Sequence, residues 1–305
     1  MLLRLVMCGL LVATAALLLL SPLTSQGDVT LPADYLTAVA HSRALMAQAH
    51  TARAYQASLE DHRVDLGGYR LHLVCAGHGS PTVVFESGWP GGSSSWASVA
   101  PTIALQTRVC AYDRAGTGAS DPGPSPRSPL RMVRELHVLL TRAHLPGPYV
   151  LVGHSFGGLL VRLFAATYPH DVAGMVLIDS SVFDLTGRCP FPTRFPLGVE
   201  RVEECTADVR RTGFRPGLLG YKPLAVLLAG PDPSLIAAIL RSTDADRAEQ
   251  AWLWWQRHFT ALSTRPLLVV VPQSNHMIQL TQPAYVIAAV VRTVEVARAK
   301  RGVQG

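Results

Sequence analysis

A serine stands between two glycines in Gly153-His154-Ser155-Phe156-Gly157. The apolar run Tyr149–Val152 precedes it, and an apolar-periodic stretch with Leu159, Leu160, Leu163 and Phe164 follows. A chain that turns sharply from strand to helix at Ser155 presents the hydroxyl at a helix N-terminus, where free N–H groups and the helix dipole favour negative charge. The glycines remove side chains that would collide in so tight a turn. This is the setting of a nucleophile. A merely structural Gly/Ser turn is the plain alternative, and the strand before it and the helix after it weigh against that.

A serine hydroxyl needs an adjacent base at neutral pH. His276 fits best: it follows the last apolar run, in Gln273-Ser274-Asn275-His276, ahead of a C-terminal helix. His41, His50 and His62 precede the main sheet, His72 alternates within a strand, and His137, His144 and His258 fall on helix surfaces. The base in turn needs an acid to fix its tautomer. Asp179 ends the run Gly174–Ile178, and Asp232 follows Leu224–Leu228, so both are candidates, with Asp184 a weaker third. The order Ser, Asp, His holds for each. An oxyanion calls for two backbone donors. The N–H of Phe156 is one, and Trp89, in the loop Glu86-Ser87-Gly88-Trp89-Pro90, supplies the other.

These residues require a scaffold. His62–Leu66 and Tyr69–Cys75 around Gly67-Gly68 read as a β-hairpin. Strand-length apolar runs follow at Thr82–Phe85, Arg108–Tyr112, Tyr149–Val152, Gly174–Ile178, Leu224–Leu228 and Leu267–Val271. Helical stretches, including Trp96–Leu105, Leu130–His144 and Gly157–Tyr168, separate most of them. Continuous Val/Leu runs alternating with helices predict an α/β fold: a mostly parallel sheet of about eight strands, buried on both faces by helices. Residues 183–222, rich in Pro, Arg and Gly, interrupt the alternation and are expected to form a lid insertion. Ala245–Ser263 is expected to be helical. Its Trp252, Trp254, Trp255 and Phe259 suit either a pocket wall or, the better reading, ordinary packing.

The amino-terminal fifth carries less chemistry. Arg4, the apolar stretch Leu5–Leu20 and a small polar segment to Gly27 match a secretory signal, cleaved with Ser25 and Gly27 at −3 and −1, or retained as an anchor. Residues 1–27 are therefore assigned to a signal peptide or signal-anchor, 28–61 to a helical extension and 62–305 to the main domain. Either form of the signal predicts an extracytoplasmic chain, secreted or held at a membrane through residues 5–20. Of five cysteines, Cys8 falls in the apolar stretch; Cys75, Cys110, Cys189 and Cys205 permit two disulfides, 75–110 and 189–205 among the pairings, with free thiols the alternative. No Cys/His spacing suggests a metal site. The formal net charge is +6, yet the arginines are scattered and lysine occurs only at Lys222 and Lys300, so no nucleic-acid partner is expected.

Five segments together resemble the α/β-hydrolase superfamily, most of all its esterase and proline-iminopeptidase-like members: Phe85-Glu86-Ser87-Gly88-Trp89, Tyr112-Asp113-Arg114-Ala115-Gly116-Thr117-Gly118-Ala119-Ser120, Gly153–Gly158, Val176-Leu177-Ile178-Asp179 and Asn275-His276. The resemblance spans roughly residues 62–298. It implies a serine hydrolase without cofactor, acting on a small-molecule ester, with amides and peptides as further candidates. Within the family the Asp113–Ser120 stretch is structural. Ser87-Gly88 stands where many members have His-Gly, a change that a backbone role survives. Many members carry the acid in Gly-x-x-Asp after the penultimate strand; here Gly230-Pro231-Asp232 places it one residue early. Others carry it after the preceding strand, which favours Asp179. A serine at the turn argues against epoxide hydrolase or dehalogenase chemistry, which uses a carboxylate there. An inactive binding protein on the same scaffold and an acyltransferase are the competing functions.

Overall fold

The computed structural model describes residues 31–49, 58–181, 215–232, 235–236 and 243–301. The signal segment 1–27, Cys189, Cys205, Asp184 and most of the expected lid lie outside the described residues. Among those described, no helix is long and apolar enough to cross a membrane.

Eight strands form one sheet: β1 (Glu60–Asp65), β2 (Arg70–Ala76), β3 (Val83–Glu86), β4 (Val109–Tyr112), β5 (Tyr149–His154), β6 (Val172–Ile178), β7 (Leu224–Leu228) and β8 (Pro266–Val270). Their order is β1-β2-β4-β3-β5-β6-β7-β8. The β1–β2 and β2–β4 pairs are antiparallel and every later pair is parallel. The helices are α1 (Ala33–Ala49), α2 (Ala100–Ala104), α3 (Pro129–Arg142), α4 (Phe156–Thr167), α5 (Ala245–His258), α6 (Ile278–Thr281) and α7 (Pro283–Arg301).

Strand periodicity divides the core in two. Leu71, Leu73, Val84, Leu151, Leu177 and Val226 meet α3, α4 and α5 on one face. Val83, Phe85, Val150, Val152, Val176 and Leu227 meet α1, α2 and α7 on the other. Successive side chains point to opposite faces, so strands covered on both sides read as unbroken apolar runs.

Several expected boundaries shift. β1 begins at Glu60 rather than His62, which moves the start of the sheet into the segment assigned to the extension. This edge strand, Glu-Asp-His-Arg-Val-Asp, is largely exposed, so no apolar alternation marks where it starts. At its turn Gly67 and Gly68 both have positive φ, and Asp65 Oδ1 accepts both of their N–H groups at 3.0 and 3.1 Å. The single helix expected over 96–105 is a 3₁₀ turn (Ser93–Trp96) followed by α2. Pro101 lies in the first turn of α2, the part of a helix that tolerates a missing N–H.

α1 packs on the domain. The Tyr35 hydroxyl donates to the Tyr285 carbonyl at 2.7 Å, and Tyr35, Val39, Ser42 and Ala49 are buried while Leu36 is exposed. The last part of the expected lid, 215–222, consists of tight turns tied to Ala261 and Leu262 by backbone bonds of 2.8 Å. Cys75 and Cys110 are direct partners in the β2–β4 register and form a disulfide.

Candidate active site

Strand register brings the reacting groups together. His154 pairs with Ile178, so the next residues of β5 and β6, Ser155 and Asp179, leave the sheet side by side. The Ser155 N–H donates to the Ile178 carbonyl at 3.1 Å, and its own carbonyl accepts from Gly158 and Ser181, each at 2.9 Å. Those bonds hold Ser155 at φ 49°, ψ −120°, a conformation that costs an L-residue energy and persists where neighbours over-determine it. Asp179 is also held at positive φ, 39°, its N–H bonded to the Leu227 carbonyl at 2.8 Å.

The turn works because its neighbours lack side chains. A Cβ on Gly157 would stand 2.0 Å from the Glu86 carbonyl oxygen, and one on Gly158 2.1 Å from Ser180 Oγ. Both distances lie below any real contact, so the loop after β3 and the loop after β6 close on the start of α4 only over glycine.

His276 reaches the site from the loop after β8. Its Nδ1 lies 2.6 Å from Asp179 Oδ2. Asp179 Oδ1 accepts from Trp252 Nε1 at 2.9 Å and from the Ala229 N–H at 3.5 Å. Local bonds shape the histidine loop: Asn275 Oδ1 accepts the Met277 N–H at 2.9 Å, and the Ser274 hydroxyl donates to the Val271 carbonyl at 2.7 Å. Asp232 does not join this pair by a hydrogen bond. Its Oδ1 accepts the Leu235 N–H at 3.1 Å, capping a turn. Asp179 therefore meets the histidine and Asp232 stands behind it, on the wall of a small cavity that both line.

Ser155 Oγ makes its one hydrogen bond among the described residues to Ser181 Oγ, at 3.4 Å. Among the described residues no hydrogen bond joins the His276 imidazole to Ser155 Oγ. Such contacts commonly tighten only when substrate arrives. Phe156 is the first residue of α4, so its backbone N–H lies at the N-terminal end of that helix. Trp89 follows Gly88, whose backbone abuts the site: a Cβ there would lie 3.2 Å from Ser155 Cβ and 2.7 Å from His154 Nδ1.

Five contributors have no signature in the sequence. His154 is buried, and its Nε2 donates to the His276 carbonyl at 2.9 Å. Burial, with the His276 ring beside it, lowers its pKa to about 3, so this ring is neutral and serves as a brace. Trp252 holds Asp179, which separates it from the neighbouring aromatics. Trp254 is exposed and stacks on His258, and Phe259 packs under the Arg162 guanidinium. Arg162, buried among uncharged groups and pushed down to about 9 by that burial, donates to the Ser181 carbonyl at 2.7 Å. Gln256 donates to the Ser180 carbonyl at 2.6 Å. Together α4 and α5 hold the loop Asp179-Ser180-Ser181 from both sides.

Arg114 is the fifth, and it lies in the stretch expected to be structural. Its guanidinium is 2% exposed and bonds Glu86 Oε1 at 2.7 Å, the Ser87 carbonyl at 2.7 Å and the Gly88 carbonyl at 3.1 Å. It therefore fastens the loop that carries Trp89. Replacing one member of a buried ion pair leaves the other charge uncompensated, at roughly 3–5 kcal/mol. Arg114→Met is expected to lose stability of that order in urea denaturation, whereas a loss below about 1 kcal/mol would show the pair to be dispensable.

Comparison with known proteins agrees with this architecture. Residues 81–195 match the family model described as alpha/beta hydrolase fold. The Bacillus subtilis protein YqjL is 29% identical over 221 residues, 70% of this chain and 83% of that protein. A soluble epoxide hydrolase from a Corynebacterium species is 34% identical over 119 residues, 39% of this chain and 41% of the other. The chain spans less than a third of the length of several other curated relatives it matches. Among solved structures, a bacterial membrane phospholipase A superposes with a TM-score of 0.55 at 17% identity, covering 97% of this chain and 98% of the other. By its sheet order, its strand-to-helix turn at Ser155 and the family model that residues 81–195 match, the chain has the α/β-hydrolase fold.

Proposed function

We propose that the chain is a serine hydrolase that cleaves carboxylic esters through an acyl-enzyme on Ser155. The observation that carries this reading is the 2.6 Å contact between His276 Nδ1 and Asp179 Oδ2, formed beside a serine held on a strained turn. With Nδ1–H bonded to Asp179, the imidazole carries its free lone pair on Nε2. Ser155 Oγ attacks the ester carbonyl as Nε2 takes its proton. The N–H groups of Phe156 and Trp89 donate hydrogen bonds to the carbonyl oxygen as negative charge develops on it. The intermediate collapses as His276 returns the proton to the leaving alcohol. Water, deprotonated by the same nitrogen, then attacks the acyl carbon and frees Ser155. Ser155 occupies the place where opening an epoxide through an ester intermediate calls for a carboxylate, so ester hydrolysis is favoured over the activity named for the Corynebacterium relative.

The test is covalent labelling of the native protein with a fluorophosphonate, together with turnover of p-nitrophenyl esters of increasing acyl length against the matching anilides. Labelling and ester turnover are expected. A protein that neither labels nor hydrolyses any of these esters would be a binding protein on this scaffold. Faster transfer of the acyl group to an added alcohol than to water would make it an acyltransferase.

We propose further that the protein works outside the cytoplasm. Arg4 and the apolar stretch Leu5–Leu20 support it, as does a disulfide between Cys75 and Cys110. Cell fractionation is expected to find the chain in the extracytoplasmic or membrane fraction, and a wholly cytoplasmic pool would overturn this assignment.

A further inference from the structure

Glu249 stands on α5 one turn before Trp252, the residue whose indole N–H holds Asp179. That spacing puts both on one helix face. Both line the same small cavity, together with Asp179, Asp232 and His276. Glu249 is 7% exposed. Its Oε2 has no hydrogen-bond partner among the described residues, and the backbone N–H of Asp232 favours its charged form. The titratable groups that face it are Asp179 from the end of β6, Asp232 from the loop after β7 and His276 from the loop after β8. No Arg or Lys among the described residues lines this cavity.

A carboxylate in that position is unfavourable. Burial first, then the charges of Asp179 and Asp232, against the help of the Asp232 N–H, raise the Glu249 carboxyl from 4.5 to about 7. His276 acts with the opposite sign: a protonated imidazole in the same cavity favours an ionised Glu249, and an ionised Glu249 favours a protonated imidazole.

We propose that Glu249 is a positioning residue that sets the protonation of His276, leaving the Asp179–His276 pair with one negative charge when neutral and adding a second, which holds the imidazole protonated, when ionised. This rests on the reading of Asp179 and His276 as the acid and base of Ser155. The two groups titrate as a coupled pair. Glu249 lowers the fraction of neutral, base-competent histidine in mildly acidic solution, so the protein loses activity on acidification earlier than its Asp179–His276 pair alone would.

The test compares Glu249→Gln and Glu249→Met with the wild type. The acid limb of kcat/KM reports the base of the free enzyme. Its midpoint is expected roughly one pH unit lower in both variants, so below both midpoints each variant retains about tenfold more of its own plateau than the wild type does. The His276 Hε1 resonance, followed by NMR, is expected to move by the same amount and needs no turnover. In the wild type that resonance is expected to show two inflections, a readout that requires no variant to fold. Coincident midpoints in all three proteins, or a one-step wild-type titration, would overturn the proposal. Absence of ester turnover in the wild type would instead overturn the hydrolase reading, while the NMR titration would still report the coupling. Melting temperature provides a sign check. The folded pKa of Glu249 lies above the unfolded value, so its contribution to stability falls as pH rises from 4.5 through about 7. The wild-type melting temperature should fall relative to Glu249→Gln across that window, whereas a purely steric role would give a difference independent of pH.

Discussion

Ser155→Ala is expected to lower ester turnover about 10⁶-fold and to abolish fluorophosphonate labelling, with the fold intact. The size follows from the place of the hydroxyl in the scheme. Without Oγ there is no acyl-enzyme, and the remaining donors and His276 can only assist direct attack by water, which leaves a residual acceleration on the order of 10³–10⁴ over solution. The fold should tolerate the change because the turn is held by backbone bonds from Ser155 to Ile178, Gly158 and Ser181, and among the described residues the one side-chain bond lost is the 3.4 Å contact with Ser181. Alanine keeps the positive φ that serine already adopts. Turnover within tenfold of the wild type would remove Ser155 from the mechanism.

Asp179→Asn is expected to cost roughly 10⁴-fold in kcat, and Asp232→Asn less than about threefold. The asymmetry comes from which atoms are already committed. Trp252 Nε1 and the Ala229 N–H both donate to Asp179 Oδ1. In the asparagine variant the amide oxygen must stay on that side, which turns the NH₂ group toward His276 Nδ1. The imidazole then accepts at Nδ1 and carries its proton on Nε2, the tautomer that cannot take a proton from Ser155. Asp232 spends its Oδ1 on the Leu235 N–H, a bond an asparagine oxygen can keep. Chemical rescue of turnover at high pH in Asp179→Asn would fit the tautomer argument. Full activity in Asp179→Asn with loss in Asp232→Asn would reverse the assignment.

The strand-to-helix turn at Ser155 and the apolar strands were legible because each is a local pattern. A two-residue period, unbroken in Val150–Val152 and Val176–Ile178, reports a strand covered on both faces, and a serine between glycines at a strand-to-helix change reports a turn. The acid was not legible. Asp179 and Asp232 both follow strands, and spacing along the chain says nothing about which carboxylate faces a histidine roughly 45 or 100 residues further on. The start of the edge strand β1 escaped for the opposite reason, since a largely exposed strand has no apolar face to leave a period. The Arg114–Glu86 pair joins residues 28 apart through a buried bond, and neither type is surprising in its own segment.

What the sequence by itself determined about the strand-to-helix turn is that Ser155 stands on it, with glycines at the positions where any side chain would strike Glu86, Ser87 or Ser180. What only the tertiary structure decided is the company that serine keeps. The parallel register of β5 and β6 sets Ser155 beside Asp179, Trp252 from α5 claims one oxygen of that carboxylate, and His276 from the loop after β8 takes the other. The physical reason is that backbone conformation is set by neighbours in the chain, whereas a protonation state or a hydrogen-bond partner is set by neighbours in space, and those are fixed only when the sheet closes around them.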